Sequence, residues 1–440
     1  MKNQIEQLYS YYLTHPEICT DTRKIKKGSL FFALRGESFN GNKFAEQAIE
    51  EGCALAIIDE EVPEVGNKKT SYMRVPNVLK ALQDLAQYHR EQLKIPVIAI
   101  TGSNGKTTTK ELVKAVLSKQ YFTYATIGNL NNHIGVPLTL LSITKQHQMA
   151  IIEMGANHIG EIASLCKISQ PDFGIITNIG KAHLEGFGGV QGVINAKNEL
   201  YAFIRQNKGL LFVNSDNNLL LDLSKGINKI TYGTSQDSNC QGKIIDVDPF
   251  IKMKYKTATG NDHVEVNDII NSHLPGKYNF ENILAAICIG HRFKVDTEKI
   301  KEGIENYIPA NNRSEIIQKA TNTIWLDAYN ANPTSMEAAI ENFSELKASS
   351  KILILGDMLE LGQESKKEHQ HLVSLIKKEV FTHILFVGNC FSETHNNINA
   401  VVFRNVDEAL PWLNLNKFIN STILLKGSRG IKLEKLVEVL

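Results

Sequence analysis

The chain has 440 residues, 42% of them hydrophobic, with 48 Lys plus Arg against 47 Asp plus Glu and a formal net charge of +1. That length suggests two to four domains, and the even charge balance gives no footing for nucleic acid or an acidic membrane as a partner. Six cysteines stand singly with no C-x-x-C pair, which suggests neither a zinc site nor a disulfide framework. The opening MKNQIEQLYSYYLTH has no apolar signal core, and no apolar run approaches the ~20 residues of a membrane helix, so a cytoplasmic monomer is expected.

Residues 1–93 read as a small α/β unit. Ser29–Leu34 and Ala54–Ile58 are apolar and strand-like, whereas Lys43–Glu51 and Val78–His89 carry apolar residues at helical spacing. The polar stretches holding Thr22, Arg23 and Gly36 flank the first strand and read either as a binding mouth or as turns. Leu93–Pro96 reads as a linker into a second unit, 94–311. There Val97–Ile100, Met149–Ile152, Phe173–Thr177 and Gly209–Val213 alternate with helical stretches, as in a mostly parallel sheet covered by helices. Residues 225–270 read as strands and loops at that unit's edge, and a helix is expected over Asn279–Cys288. In 312–440, strands at Thr323–Leu326, Ile352–Leu355, Ile384–Val387 and Thr422–Leu425 are each followed by a helical stretch: 334–346, 364–378, 406–413 and 431–439. That pattern is doubly wound, without a G-x-G-x-x-G for a dinucleotide.

Val97–Leu117, VIAITGSNGKTTTKELVKAVL, is the most informative stretch. A β-branched strand runs through Gly102, Ser103, Asn104 and Gly105 into Lys106, Thr107, Thr108 and an amphipathic helix. Glycines let the backbone approach phosphate, and a helix start offers N–H groups and a positive dipole end to the anion. Lys106 would reach the β- and γ-phosphates and Thr107 would ligand magnesium. The general loop G-x-x-x-x-G-K-[ST] needs glycine at 100, where this chain has Ile100, so the loop is the shorter G-x-x-G-K-T-T.

Further candidates cluster at strand ends. Glu153 closes Met149–Ile152, where a magnesium-binding acid belongs, with a helix expected to start near Asn157-His158. His183 follows the strand Phe173–Thr177, and reads either as a site residue or as a polar cap. Lys197 by itself reads as an exposed helix lysine. Asn129 and Asn132 belong to a polar run suited to a sugar or peptide, or to a plain loop. Asp327 ends another strand before Asn330 and Asn332; it would accept from ribose hydroxyls while the asparagines hold an amide or zwitterion, unless Asn-x-Asn-Pro is only turn chemistry.

Taken in order, these segments resemble the Mur ligases, ATP-dependent amide-forming enzymes of cell-wall peptide synthesis. The similarity rests on TGSNGKTTTKE, EMGANHIGEI (153–162), TNIGKAHLEGFGG (177–189), INAKNEL (194–200), GKYNFENILAA (276–286), NNRSE (311–315), DAYNANPTSM (327–336), ILGDMLELG (354–362) and LLKGSRG (424–430), over nearly the whole chain. Tyr278 stands where the family usually has histidine, and Asn40-Gly41-Asn42 where it usually has Asp-Gly-His.

The resemblance implies three α/β domains: a UDP-sugar-binding domain (1–93), a central ATP domain with a P-loop-type parallel sheet (94–311), and a Rossmann-like domain for the amine substrate (312–440). It implies ligation of D-alanyl-D-alanine to UDP-N-acetylmuramoyl-tripeptide through an acyl phosphate, with ADP and phosphate released. Thr107 and Glu153 become ligands of one Mg²⁺, and Glu153, His183 and Lys197, the last as a carbamate, the surroundings of a second. Asn282, Arg313 and Asp327 become adenosine contacts; Thr22, Arg23 and Gly36 hold the UDP-sugar; Asn129 and Asn132 face the muramoyl-peptide; Asn330 and Asn332 meet the dipeptide. The alternatives are a sibling or folylpolyglutamate-type synthetase adding one amino acid, and a nucleotide switch without ligation.

Overall fold

The computed structural model describes residues 2–61, 71–259, 262–310, 312–394 and 398–440; Asn311, first residue of the 311–315 motif, lies outside them. The chain forms three α/β domains, each built on its own sheet. The first sheet holds β1 (Ile18–Cys19), β2 (Leu30–Phe32), β3 (Leu55–Ile58) and β4 (Tyr72–Arg74), parallel and in that order. Every residue of β2 and β3 is buried, which is why these strands read as unbroken apolar runs.

The helix Val78–Gln92 starts on Asn77, whose side chain accepts the Lys80 N–H, and buries Val78, Ala81, Leu82, Leu85 and Ala86 along one stripe. Its last turn carries polar groups to carbonyls far along the chain. His89 meets the Ile143 carbonyl at 2.8 Å, and Arg90 donates to the carbonyls of Ser169 and Gln170 and to Asp172, each at 3.0 Å. The segment Leu93–Pro96 is therefore clamped rather than a free linker: the Leu93 carbonyl accepts from Arg90, and the Val97 N–H donates to Asp172. Residues 1–99 join 121–156 and 160–174 in one compact unit, and 100–120, 157–159 and 175–440 form the other.

The central sheet has nine strands: β5 (Val97–Thr101), β6 (Thr123–Ala125), β7 (Met149–Glu153), β8 (Phe173–Ile176), β9 (Leu210–Asn214), β10 (Lys229–Gly233), β11 (Cys240–Asp246), β12 (Lys252–Thr259) and β13 (Asp262–Asn271). Their order is β13-β12-β11-β10-β9-β8-β5-β7-β6. β9, β10 and β11 run parallel, whereas β12 and β13 join antiparallel as the edge, where the less periodic 225–270 stretch was expected. The helix expected at Asn157-His158 begins only at Glu161, because Gly160 sits at φ +91° and a left-handed residue cannot continue a right-handed helix.

The third sheet holds β14 (Glu315–Lys319), β15 (Asn322–Asp327), β16 (Lys351–Gly356), β17 (His383–Val387), β18 (Val401–Phe403) and β19 (Thr422–Lys426), in the order β14-β15-β19-β16-β17-β18. All neighbours are parallel except β14 with β15. Alternate residues Ile324, Leu326, Ile352, Ile354, Leu385, Val387, Ile423 and Leu425 enter one core, which leaves the C-terminal strand ends as a polar edge. The last expected helix, 431–439, is instead two 3₁₀ turns, Arg429–Ile431 and Leu433–Glu438, parted by Lys432 at φ +63°. Among the described residues no helix is long and apolar enough to cross a membrane.

Candidate active site

β5 is buried throughout and delivers its end into the phosphate loop. Two glycines are obligatory there. Gly102 lies at φ +146°, and a Cβ on it would stand 2.0 Å from the Thr177 hydroxyl. Gly105 lies at φ +76° at the cap of the helix Lys106–Leu117, and its Cβ would stand 2.6 Å from the Asn282 amide oxygen. The loop is held by the turn after β8. Ser103 N–H donates to the Asn178 carbonyl (3.0 Å), Asn104 N–H to the Asn178 side chain (2.9 Å), Gly180 N–H to the Ser103 hydroxyl (2.9 Å), and the Thr177 hydroxyl to the Asn104 carbonyl (2.6 Å). Lys106 Nζ donates to the loop's own carbonyls, Gly102 (2.7 Å) and Ser103 (3.1 Å).

Behind the helix start, Thr109 donates to Asn282 (3.0 Å), Asn282 to Asn279 (2.9 Å) and Asn279 to Ser314 (3.1 Å). Asn282 thus braces the phosphate-loop helix. Beside it Thr107, Thr108, Glu111, Tyr307, Ile308 and Arg313 line a cavity of about 230 Å³. Burial, and secondarily the Glu111 carboxylate, push the Tyr307 phenol up to about 12, so it stays a neutral hydroxyl at neutral pH. Thr107, Thr108 and Arg313 thus line one cavity.

The third domain meets this loop directly. Asn332 caps the helix Pro333–Ser344 by accepting the Ser335 N–H (3.0 Å), and its Nδ2 donates to the Asn104 amide oxygen at 2.7 Å. Its amide is thereby committed, and it is only 4% exposed. Asn330 remains exposed, its Oδ1 accepting the Ala331 N–H. Asp327 is engaged by the buried Lys426, its partner in register on β19. Tyr329 carries the Arg313 guanidinium 3.5 Å from its ring centre, with Arg429 at 5.2 Å.

His183, at φ +51°, starts the short helix Leu184–Phe187, and its Nδ1 contacts the Glu360 carboxylate. That hydrogen bond holds the Glu360 carboxyl below the usual range, against its burial. Two residues earlier, the Lys181 N–H donates to the Thr334 hydroxyl (3.2 Å) and its Nζ to the buried Glu368 (2.7 Å). Lys197 is not the exposed lysine its own context suggested. It is 2% exposed on the helix Val190–Gln206, on the stripe with Val193, Ala196, Leu200, Tyr201 and Ile204, and its Nζ lies 5.4 Å from the Phe187 ring centre.

In the unit that holds the first sheet, Glu153 is 1% exposed at the end of β7, where its carboxylate accepts Asn131 Nδ2 at 2.8 Å and its N–H donates to Thr126. Just before the helix Gly135–Leu141, the Asn132 side chain accepts the Ile134 and Gly135 N–H groups, and Asn129 is exposed. Thr22 opens a 3₁₀ turn capped by Asp21, which also grips the exposed Arg23 guanidinium. Gly36 packs under Phe39, since a Cβ would be 2.4 Å from that ring. The departure Asn40-Gly41-Asn42 is structural: buried Asn42 donates to Asp59 (2.8 Å) and accepts the Asp59 N–H (3.0 Å).

The Thr107 hydroxyl and Glu153 carboxylate are hard oxygen donors and fit magnesium by chemistry. An ammonium at Lys197 would not, whereas a carbamate would supply such an oxygen. A separate group, Asp357, His369 and Cys390, has ligand atoms within 4.8 Å of one another. Its donors are already engaged: His369 Nε2 accepts the Met358 N–H (3.0 Å), and Asp357 accepts those of Cys390 (2.8 Å) and Phe391 (3.0 Å). Sequence reasoning quoted the segments containing Lys181, Glu360, Lys426 and Arg429 without assigning them roles; only their partners, far along the chain, reveal those.

Three family models match the chain: "Mur ligase family, catalytic domain" over residues 16–90, "Mur ligase middle domain" over 100–290, and "Mur ligase, glutamate ligase domain" over 312–429. UDP-N-acetylmuramoyl-tripeptide–D-alanyl-D-alanine ligase of Bacillus subtilis is 35% identical over 96% of this chain and 92% of its own length. The Escherichia coli enzyme of the same name is 34% identical over 97% and 94%. Among solved structures, MurF from Acinetobacter baumannii superposes with a TM-score of 0.86 at 33% identity, covering 96% of this chain and 92% of that one.

Proposed function

From the premise that this chain belongs to the Mur ligase family, we propose that it joins D-alanyl-D-alanine to UDP-N-acetylmuramoyl-tripeptide, with ATP converted to ADP and phosphate, as a cytoplasmic step of peptidoglycan precursor synthesis. The observation that carries this reading is the bond between Asn104 and Asn332, which ties the phosphate loop to the 327–336 segment. The identity of the substrates is supported by the relatives' shared name.

In this reading residues 1–93 hold the UDP-sugar through Thr22, Arg23 and Gly36, and Asn129 and Asn132 face the muramoyl-peptide. The central residues 94–311 hold ATP, and 312–440 the dipeptide, in a monomer. The γ-phosphoryl group passes to the tripeptide carboxylate; the dipeptide amine then attacks the acyl phosphate and phosphate leaves. Such chemistry needs alignment and charge neutralisation more than covalent help. Lys106 would leave its loop carbonyls for the β- and γ-phosphates, and the helix start would add its dipole. Arg313, with the cavity beside Thr107 and Thr108, would take the adenosine side. Asn282 would act by bracing the loop, and Asp327 by releasing an oxygen toward ribose. Asn330 would meet the dipeptide, with Asn332 setting the loop that presents it.

Thr107 and Glu153 would hold one Mg²⁺, and Glu153, His183 and carbamylated Lys197 a second; the bound ions would neutralise phosphate charge. Carbamylation has a direct readout. Protein equilibrated with ¹³C-bicarbonate should show a carbonyl resonance that Lys197→Ala lacks, and identical spectra would remove the carbamate from this scheme.

The reading is tested by incubating the protein with ATP, Mg²⁺, UDP-N-acetylmuramoyl-tripeptide and D-alanyl-D-alanine and weighing the product. A gain of one dipeptide unit, absent without ATP, is expected. A gain only with a single amino acid would reassign the amine substrate, and ATP hydrolysis needing neither carboxylate nor amine would point to a switch.

A further inference from the structure

Tyr329 stands between two guanidinium groups. Arg313 lies 3.5 Å from the ring centre and Arg429 5.2 Å from it, with Arg429 Nη1 also 3.4 Å from the phenol oxygen. Like charges gather on one ring at a cost that the ring's negative face offsets only in part. Among the described residues neither guanidinium has a carboxylate partner. The neighbouring cations, by contrast, are neutralised: Lys426 by Asp327 and Lys181 by Glu368. Arg313 also lines the cavity beside Thr107 and Thr108, which directs it to the nucleotide. Arg429 is the exposed cation that remains, beside the loop that carries Asn330.

On the reading that the amine substrate is D-alanyl-D-alanine, that substrate brings one carboxylate, at the end opposite its nucleophilic amine. Two residues span about 7 Å, so gripping the carboxylate fixes where the amine can lie. A guanidinium matches a carboxylate with two parallel hydrogen bonds, which a lysine cannot reproduce. We propose that Arg429, steadied on the Tyr329 ring, receives the C-terminal carboxylate of the incoming dipeptide and so selects for it.

The test compares D-alanyl-D-alanine with D-alanyl-D-alaninamide, whose C-terminus is neutral, on the full chain and on the variants Arg429→Ala and Arg429→Lys. The unaltered protein should prefer the acid. Arg429→Ala should raise KM for the acid about 10- to 100-fold and leave KM for the amide nearly unchanged, so that the preference collapses. Arg429→Lys should fall between. KM for ATP and the thermal midpoint serve as controls for folding and for the nucleotide side. An acid-to-amide preference that survives in Arg429→Ala would overturn the assignment, as would equal use of acid and amide by the unaltered protein. Failure of the unaltered protein to ligate either one would instead overturn the reading of the substrate, and the assignment with it.

Discussion

Two turns in this molecule have the same plan and opposite uses. β5 runs through Gly102, at φ +146°, into the helix Lys106–Leu117; β17 runs through Gly388, at φ +139°, into the short helix Asn389–Ser392. Each glycine is obligatory, since a Cβ would lie 2.0 Å from the Thr177 hydroxyl in one and 2.1 Å from the Asp357 carboxyl carbon in the other. At the second turn the chain supplies its own anion: Asp357 accepts the N–H groups of Cys390 and Phe391. At the first, the groups holding the loop are neutral amides and hydroxyls of Thr177, Asn178 and Asn282, and a cation, Lys106, folds over it. Strand, glycine and helix make a place for an anion; the neighbouring side chains decide whether that anion is substrate or protein.

The largest expected effect comes from removing the cation at the first turn. Lys106→Ala should lower kcat about 100- to 1,000-fold, the scale of losing one preorganised charge-stabilising donor, with KM for the UDP-sugar substrate little changed. A loss falling equally on kcat and on UDP-sugar binding would make Lys106 mainly structural.

The second turn should respond in the opposite way. Asp357→Ala leaves the N–H groups of Cys390 and buried Phe391 without their acceptor, and should reduce the free energy of unfolding by about 2–4 kcal/mol. Urea unfolding with an unchanged slope would measure it, and Asp357→Asn, which keeps one acceptor oxygen, should be intermediate. A midpoint for Asp357→Ala equal to that of the unaltered protein would end the comparison.

This contrast also explains what the sequence could say. The strand, glycine turn and helix of the first turn were legible because their parts are contiguous, within residues 97–117. The doubly wound third domain was legible for the same reason, as strand and helix patterns in alternation. The partners of Asp357, Lys181, His183 and Tyr329 lie 16 to 187 positions away, so no local pattern announces them. Lys197 was misread alone although Val193, Leu200 and Ile204 marked a buried stripe that includes its position. Asn332 was half legible: Asn-x-Asn-Pro read as turn chemistry or a substrate contact, but its helix cap and its bond to Asn104 needed the fold.

Asp59 offers the smallest effect and the finest test, because it is a second instance of a self-supplied anion at a helix start. Its carboxylate accepts the Val78 N–H at the start of the helix Val78–Gln92 (3.2 Å), Arg35 (2.7 Å) and Asn42 (2.8 Å). Burial pushes this carboxyl up, but the hydrogen bonds from Arg35, Asn42 and Val78 outweigh it and leave it below the ordinary value. A carboxyl depressed in the folded state stabilises the fold above its unfolded value of about 3.9, and that contribution is lost as pH falls through the lower, folded value. Arg35 is half exposed, so solvent screens the pair and the contribution at neutral pH should be about 1 kcal/mol. The gap in urea midpoint between the unaltered protein and Asp59→Asn should therefore be widest near neutrality and close below about pH 4. A gap that stays constant into acid would mean that Asp59 acts through its shape and not its charge, and the anion at this helix start would be incidental to the fold.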